Sequence, residues 1–247
     1  MKHIFAFERK EDYEKHEGII QRFNQKLKNY QQVLEADYQL KDLPKAVVWT
    51  AGELATTVFS DIPIPAYTNK NIIYMSPDLE EWRSILVKQL NGRDLPDIQS
   101  FYESFSENQM FVILAHELTH HSDLFPDEFD DEREDSIWFE EGMCFYLPRK
   151  LTLSANEMNE ITAAEMHLAE AFKAQYGNHP LDDFGSGSYH GDLTGIMYDY
   201  WRSYLTVKEI VEDCFDDDIH AVFKAYDAWH KEGRKMPLTQ FFIGKSR

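Results

Sequence analysis

A chain of 247 residues is long enough for one large domain or two small ones. Its formal net charge of −19, from 44 acidic against 25 basic residues, repels phosphate backbones and anionic bilayers. Nucleic acid and membrane surfaces are therefore expected not to be partners. Hydrophobic residues at 43%, with 17 Phe, 13 Tyr and 5 Trp, suffice for a sizeable core, yet no apolar run approaches the roughly 20 residues of a membrane span.

The start of the chain, "MKHIFAFERKEDYEKHEG", has four apolar residues in a row before charges resume, which is neither a signal-peptide nor a lipidation pattern. Cys144 and Cys214 form no C-x-x-C pair and are too few for a disulfide framework. A cytoplasmic location is the expectation from these features. Ile4–Phe7 reads as a short strand. From Glu11 to Tyr38, Ile19, Ile20, Phe23, Leu27, Tyr30, Val33 and Leu34 recur at helical spacing, which predicts one long helix or a helix pair before Pro44. "KAVVWTA" is β-branched and aromatic and predicts a strand. "SDIPIPAYTNKNIIYMSPD", with its prolines and the turn-like "TNKN", reads as an irregular loop leading into a strand at Ile72–Met75.

"LEEWRSILVKQL" predicts an amphipathic helix that "NGRDLPD" breaks. "SFSENQMFVILAHELTHHSDL" predicts a helix with a Ser cap and an apolar body. The acidic run from Asp127 to Asp135 reads as a solvated loop. "SIWFEEGMCFYLPRKL" restarts as a helix, with Cys144 in the core and Gly142 permitting close helix packing. "SANEMNEITAAEMHLAEAFKAQYGNHP" is a further helix, ended by Gly177 and Pro180. After the Gly/Ser-rich "LDDFGSGSYHGD" come three helical stretches, in which Trp201, Tyr204 and Phe223 are core positions. Strands fill the first half and helices the second. That is an α+β arrangement with an α/β part over 1–125 and a helical part over 126–247.

Positions 116–120 read H-E-L-T-H. On a helix, i and i+4 share a face one turn apart, so His116 and His120 can present ring nitrogens to one ion. Glu117 stands about 100° round from His116 and can reach a water on that ion without ligating it. This is the H-E-x-x-H pattern of zinc hydrolases. A catalytic zinc takes three protein ligands, and "WFEEGMCFY" offers Glu140 and Glu141 as the third. Adjacent helical residues diverge by about 100°, so one of the two faces the metal. His121 points away from the face shared by His116 and His120 and is read as a non-ligand.

With these residues the chain resembles the gluzincin metallopeptidases, the thermolysin-like and aminopeptidase-like clan, which pair H-E-x-x-H with a Glu on a following helix. Trp138, Glu141 and Gly142 match the W-x-x-E-G pattern of the aminopeptidase-type members, so the resemblance favours Glu141 as the ligand. Phe145 stands where the thermolysin-type pattern has an Asp. Asp123 and Pro126 stand where the metzincin pattern needs Gly and His. The resemblance implies a zincin-like fold, with a small mixed sheet and an active-site helix followed by an all-helical C-terminal part. It also implies a Zn²⁺ cofactor, a peptide or protein substrate held along an edge strand within "AYTNKNIIYMS", and Glu117 as general base. An oxyanion donor is expected well downstream of the third ligand, at Tyr189 or, next, His190, while Tyr198 and Tyr200 read as core or surface positions of the next helix. No G-x-M-E-N-like amine-binding pattern is present, which leans toward an endopeptidase or a restricted peptidase. The rival expectation is a zincin-fold binding or regulatory protein whose catalysis is weak or self-blocked.

Overall fold

Four short strands rich in β-branched and aromatic residues build one mixed sheet: β1 (Lys2–Ala6), β2 (Ala46–Thr50), β3 (Ala66–Asn69) and β4 (Ile72–Met75). The computed structural model describes residues 1–127 and 133–244. The chain divides into two compact units, Met1–Asp123 with Leu147–Ser154, and Leu124–Tyr146 with the chain from Ala155 onward. It thus passes from the first unit to the second at 123/124 and returns to the first over 147–154.

In the first unit the strand order is β1-β2-β4-β3. β1, β2 and β4 run parallel, and β3 is antiparallel to β4. Parallel neighbours need a crossover, and α1 (Lys10–Asp37) supplies it between β1 and β2. It is one helix, not a pair. The register sets Val47, Trp49, Ile73, Met75, Ala66 and Thr68 on one face of the sheet, all buried. α1 lays Ile20, Phe23, Leu27, Tyr30 and Leu34 into the same core, with Phe23 6.4 Å from Trp49 between ring centroids. Full burial of each such side chain is worth about 2–3 kcal/mol.

Where an irregular loop was expected before Ile72, the chain makes a hairpin. Lys70 takes φ 54° in the turn, and Tyr67 stacks on Tyr74 across the strands. The prolines obscured β3 because they lie just ahead of it, where a missing N–H costs no ladder bond; the Pro65 carbonyl in fact accepts from Ser76 N at 2.9 Å. The hairpin makes β3 the edge strand.

Three helices follow: α3 (Leu79–Lys88), α4 (Pro96–Glu103) and α5 (Glu107–Thr119), after the short helix α2 (Gly52–Leu54) and a wide turn at Ala55–Phe59. α4 was not expected. Its Pro96 reads as a breaker but stands in the first helical turn, where its fixed φ suits a start, and Ile98 and Tyr102 bury its inner face.

The second unit is helical. It holds most of α6 (Trp138–Thr152), then α7 (Ala155–Tyr176), α8 (Leu193–Glu209), α9 (Ile219–Lys231) and α10 (Leu238–Ile243). Gly142 lets α6 approach α8, since a Cβ there would stand 2.5 Å from the Ser203 carbonyl oxygen and from Val207. Cys144, Trp201, Tyr204 and Phe223 are buried as expected. Two stretches read as separate helices are continuous, because α8 runs straight into a π turn at Ile210–Cys214. α10 was missed; its Phe242 stacks 5.4 Å from Phe139 in an aromatic core that also holds Phe223 and Tyr226. Of the acidic run, residues 128–132 lie outside the described residues. On its flanks Asp127 pairs with Arg133 and His230, and Asp135 with Arg234. Among the described residues no helix is long and apolar enough to cross a membrane.

Candidate metal centre

α5 begins with a reciprocal cap. The Ser106 hydroxyl accepts from Gln109 N at 3.2 Å, and the Gln109 side chain accepts from Ser106 N at 2.7 Å. Its body, Met110, Phe111, Val112, Leu114, Ala115 and Leu118, is buried, and Phe111 meets Phe23 of α1 edge-on at 5.5 Å. The far end is tied down as well. Tyr30 and Thr119 share a hydroxyl–hydroxyl bond of 2.8 Å, Ser122 Oγ donates to the Tyr38 carbonyl, and Asp123 N donates to the Gln39 carbonyl at 3.2 Å. A helix held at both ends fixes its side chains closely, which is what metal ligands require.

At that end the helix presents His116 and His120, both buried. His120 is the residue just past Thr119, and its N–H still donates to the His116 carbonyl at 3.3 Å. The spacing of one turn is therefore kept. The two Nε2 atoms face each other at 3.1 Å, with the rings 4.7 Å apart and near-perpendicular. Two ligands of a tetrahedral zinc at about 2.1 Å would stand about 3.4 Å apart, so the pair is close to that geometry. Glu117, also buried, accepts at Oε2 from the Thr68 hydroxyl of β3 at 2.9 Å, and the same hydroxyl lies 3.2 Å from the Glu117 carbonyl oxygen. His121 is partly exposed; burial first, and His120 beside it second, push its imidazole down to about 4.

α6 carries the two candidate carboxylates, and their partners separate them. Glu140 is almost fully buried and pairs with the Arg133 guanidinium at 2.6 Å. Glu141 accepts at Oε1 from the Tyr189 hydroxyl at 2.7 Å, and Tyr200 donates to that hydroxyl at 3.2 Å. Burial, then the Glu141 carboxylate and Tyr200, hold the Tyr189 phenol well above its ordinary range, so it stays a donor at neutral pH. Tyr189 lies in the 3-10 turn Ser186–His190, whose Gly185 passes so close to the Glu134 backbone that a Cβ would meet its oxygen at 2.1 Å. His190, next in the chain, is exposed.

His116, His120 and Glu141 each offer one ligand atom, and these atoms lie within 4.8 Å of one another. Two imidazoles and one carboxylate are a donor set that zinc accepts with a coordination position to spare. Thr68 and Tyr200 escaped the sequence reading as site residues. Thr68 lies 49 positions from Glu117, and nothing local marks it. Tyr200, expected as a core or surface position of its helix, has a half-buried ring, and its hydroxyl supports Tyr189.

No protein-family model, curated protein or solved structure matches the chain. What the site can do is then decided by its own chemistry.

Proposed function

We propose that the protein is a zinc-dependent peptidase of the gluzincin type, with a zincin-like fold, a cytoplasmic location and a peptide or protein substrate. The observation that carries this reading is a buried pair of imidazoles one turn apart, grouped with the Glu141 carboxylate and flanked by Glu117. His116, His120 and Glu141 would hold the ion. When bound, zinc would supply Lewis acidity and an acidified water at a free coordination position. Glu117 takes the proton of the attacking water at its carboxylate and delivers it to the leaving amine. Tyr189 spends its proton on Glu141, so its role is to orient that ligand. His190 is the second residue that the gluzincin resemblance implies as a donor for the oxyanion. Glu140 is excluded as a ligand by its ion pair with Arg133.

The test pairs metal analysis with a peptide-library assay on the wild type and Glu117→Gln. The reading expects about one zinc per chain in both, and cleavage reduced about 10²- to 10⁴-fold in the variant. Zinc bound with no cleavage by either form would replace it with a zincin-fold binding protein. No zinc in either would remove both.

A further inference from the structure

Among the described residues, Thr68 belongs to a strand with one sheet neighbour, since β3 pairs there with β4 alone. Its side chain turns to the inner face of the sheet, toward α5, and both Thr68 and Glu117 are nearly closed to solvent, at 9% and 6% exposure. A hydroxyl has one proton to give. Here it lies on Glu117 Oε2, with the Glu117 carbonyl oxygen the next nearest acceptor. A carboxylate has about four acceptor sites on two oxygens. The Thr68 bond on Oε2 restrains the plane and tilt of the group. A glutamate side chain turns about several torsions, and each restraint on it lowers the cost of ordering it for proton transfer.

We infer that Thr68 is a positioning residue for Glu117, tying the placement of the general base to edge strand β3. This rests on the peptidase reading above. The hydroxyl comes from the sheet and not from the helix that carries Glu117 and the two histidines, so it acts on the side chain of the base and touches neither imidazole. It follows that loss of the Thr68 hydroxyl should alter turnover and leave metal binding alone. It follows too that β3 can act on the chemistry without touching the metal. A peptide segment that adds to the outer edge of β3 would steady the backbone from which Thr68 projects, and with it the base.

The experiment compares wild type, Thr68→Val and Thr68→Ser, each loaded with zinc, on a peptide that the wild type cleaves. Thr68→Val keeps the shape and removes the donor. The expected result is a kcat about 10- to 100-fold lower with KM within about twofold and zinc content unchanged. Thr68→Ser, which restores the hydroxyl, should recover most of the rate. In a Glu117→Gln background Thr68→Val should lower the residual rate no further, because there is no carboxylate left to position. Thr68→Ala reads the same way should Thr68→Val not fold, with thermal melting as the check. Unchanged kcat in Thr68→Val overturns the inference, and so does a Thr68→Ser variant as slow as Thr68→Val, which would assign the effect to packing of the methyl group. A zinc-loaded wild type that cleaves nothing overturns the peptidase reading and this inference with it. Cleavage by wild type with no response to Thr68 overturns this inference alone.

Discussion

Neighbouring residues of one type can be given opposite work by a single partner. Glu140 and Glu141 are adjacent on α6, yet Arg133 neutralises the first and a tyrosine hydroxyl holds the second. A hydroxyl orients a carboxylate without cancelling its charge, which leaves Glu141 able to bind a cation, whereas a guanidinium 2.6 Å away does cancel it. Removing one member of a buried pair leaves the other charged and poorly solvated. Glu140→Gln should therefore destabilise the protein by about 3 kcal/mol in urea unfolding and leave zinc stoichiometry intact. Tyr189→Phe should do the reverse. Its zinc affinity, read by competition with a chelator, should fall about 10- to 100-fold with little change in unfolding. His190→Ala should keep zinc and lose about 10²-fold in kcat.

The helices that carry or brace this chemistry are held by their ends. α5 starts on Ser106 and Gln109, whose reciprocal cap satisfies two backbone N–H groups. Ser106→Ala should cost about 1 kcal/mol, measured by thermal or urea unfolding. α3 starts on Asp78, whose carboxylate accepts from Glu80 N at 3.0 Å and Glu81 N at 3.3 Å and pairs with Lys15 of α1 at 3.1 Å. Burial pushes this carboxyl up, but the Lys15 ammonium and the helix N–H groups outweigh it and hold the pKa below the ordinary 3.8. The unfolded chain then takes up this proton more readily than the folded one. The contribution is complete above the unfolded value and is lost as pH falls through the folded one. Asp78→Asn should thus be less stable than wild type at pH 7. The gap in melting temperature should close as pH is taken below 3.8.

At the scale of the whole molecule, a metal that binds only the folded chain adds to its stability through mass action. At a free concentration a thousand times its Kd the gain is about 4 kcal/mol. For a chain of this length that corresponds to a rise of about 10 °C in Tm. Chelation of zinc-loaded protein should reverse the rise, while His116→Ala should show no zinc-dependent shift at all; a Tm indifferent to zinc in the wild type would rule out a folded-state site. Much of this architecture was legible beforehand. The long α1, the strand at Ala46–Thr50, the capped α5 and the helical second half each carry a repeated apolar spacing over enough residues to stand out. β3, α4 and α10 did not, because they are four to eight residues long and each starts at or beside a proline, which reads as a stop. The sequence by itself determined that His116 and His120 share a face and that Glu117 stands beside them, since helical geometry sets positions four apart without help from the rest of the chain. The tertiary structure alone decided that Arg133 claims Glu140, that Tyr189 and Tyr200 brace Glu141, and that Thr68 grips Glu117. A hydrogen bond acts only within about 3 Å, and which distant residue is brought that close is set by packing and not by spacing along the chain.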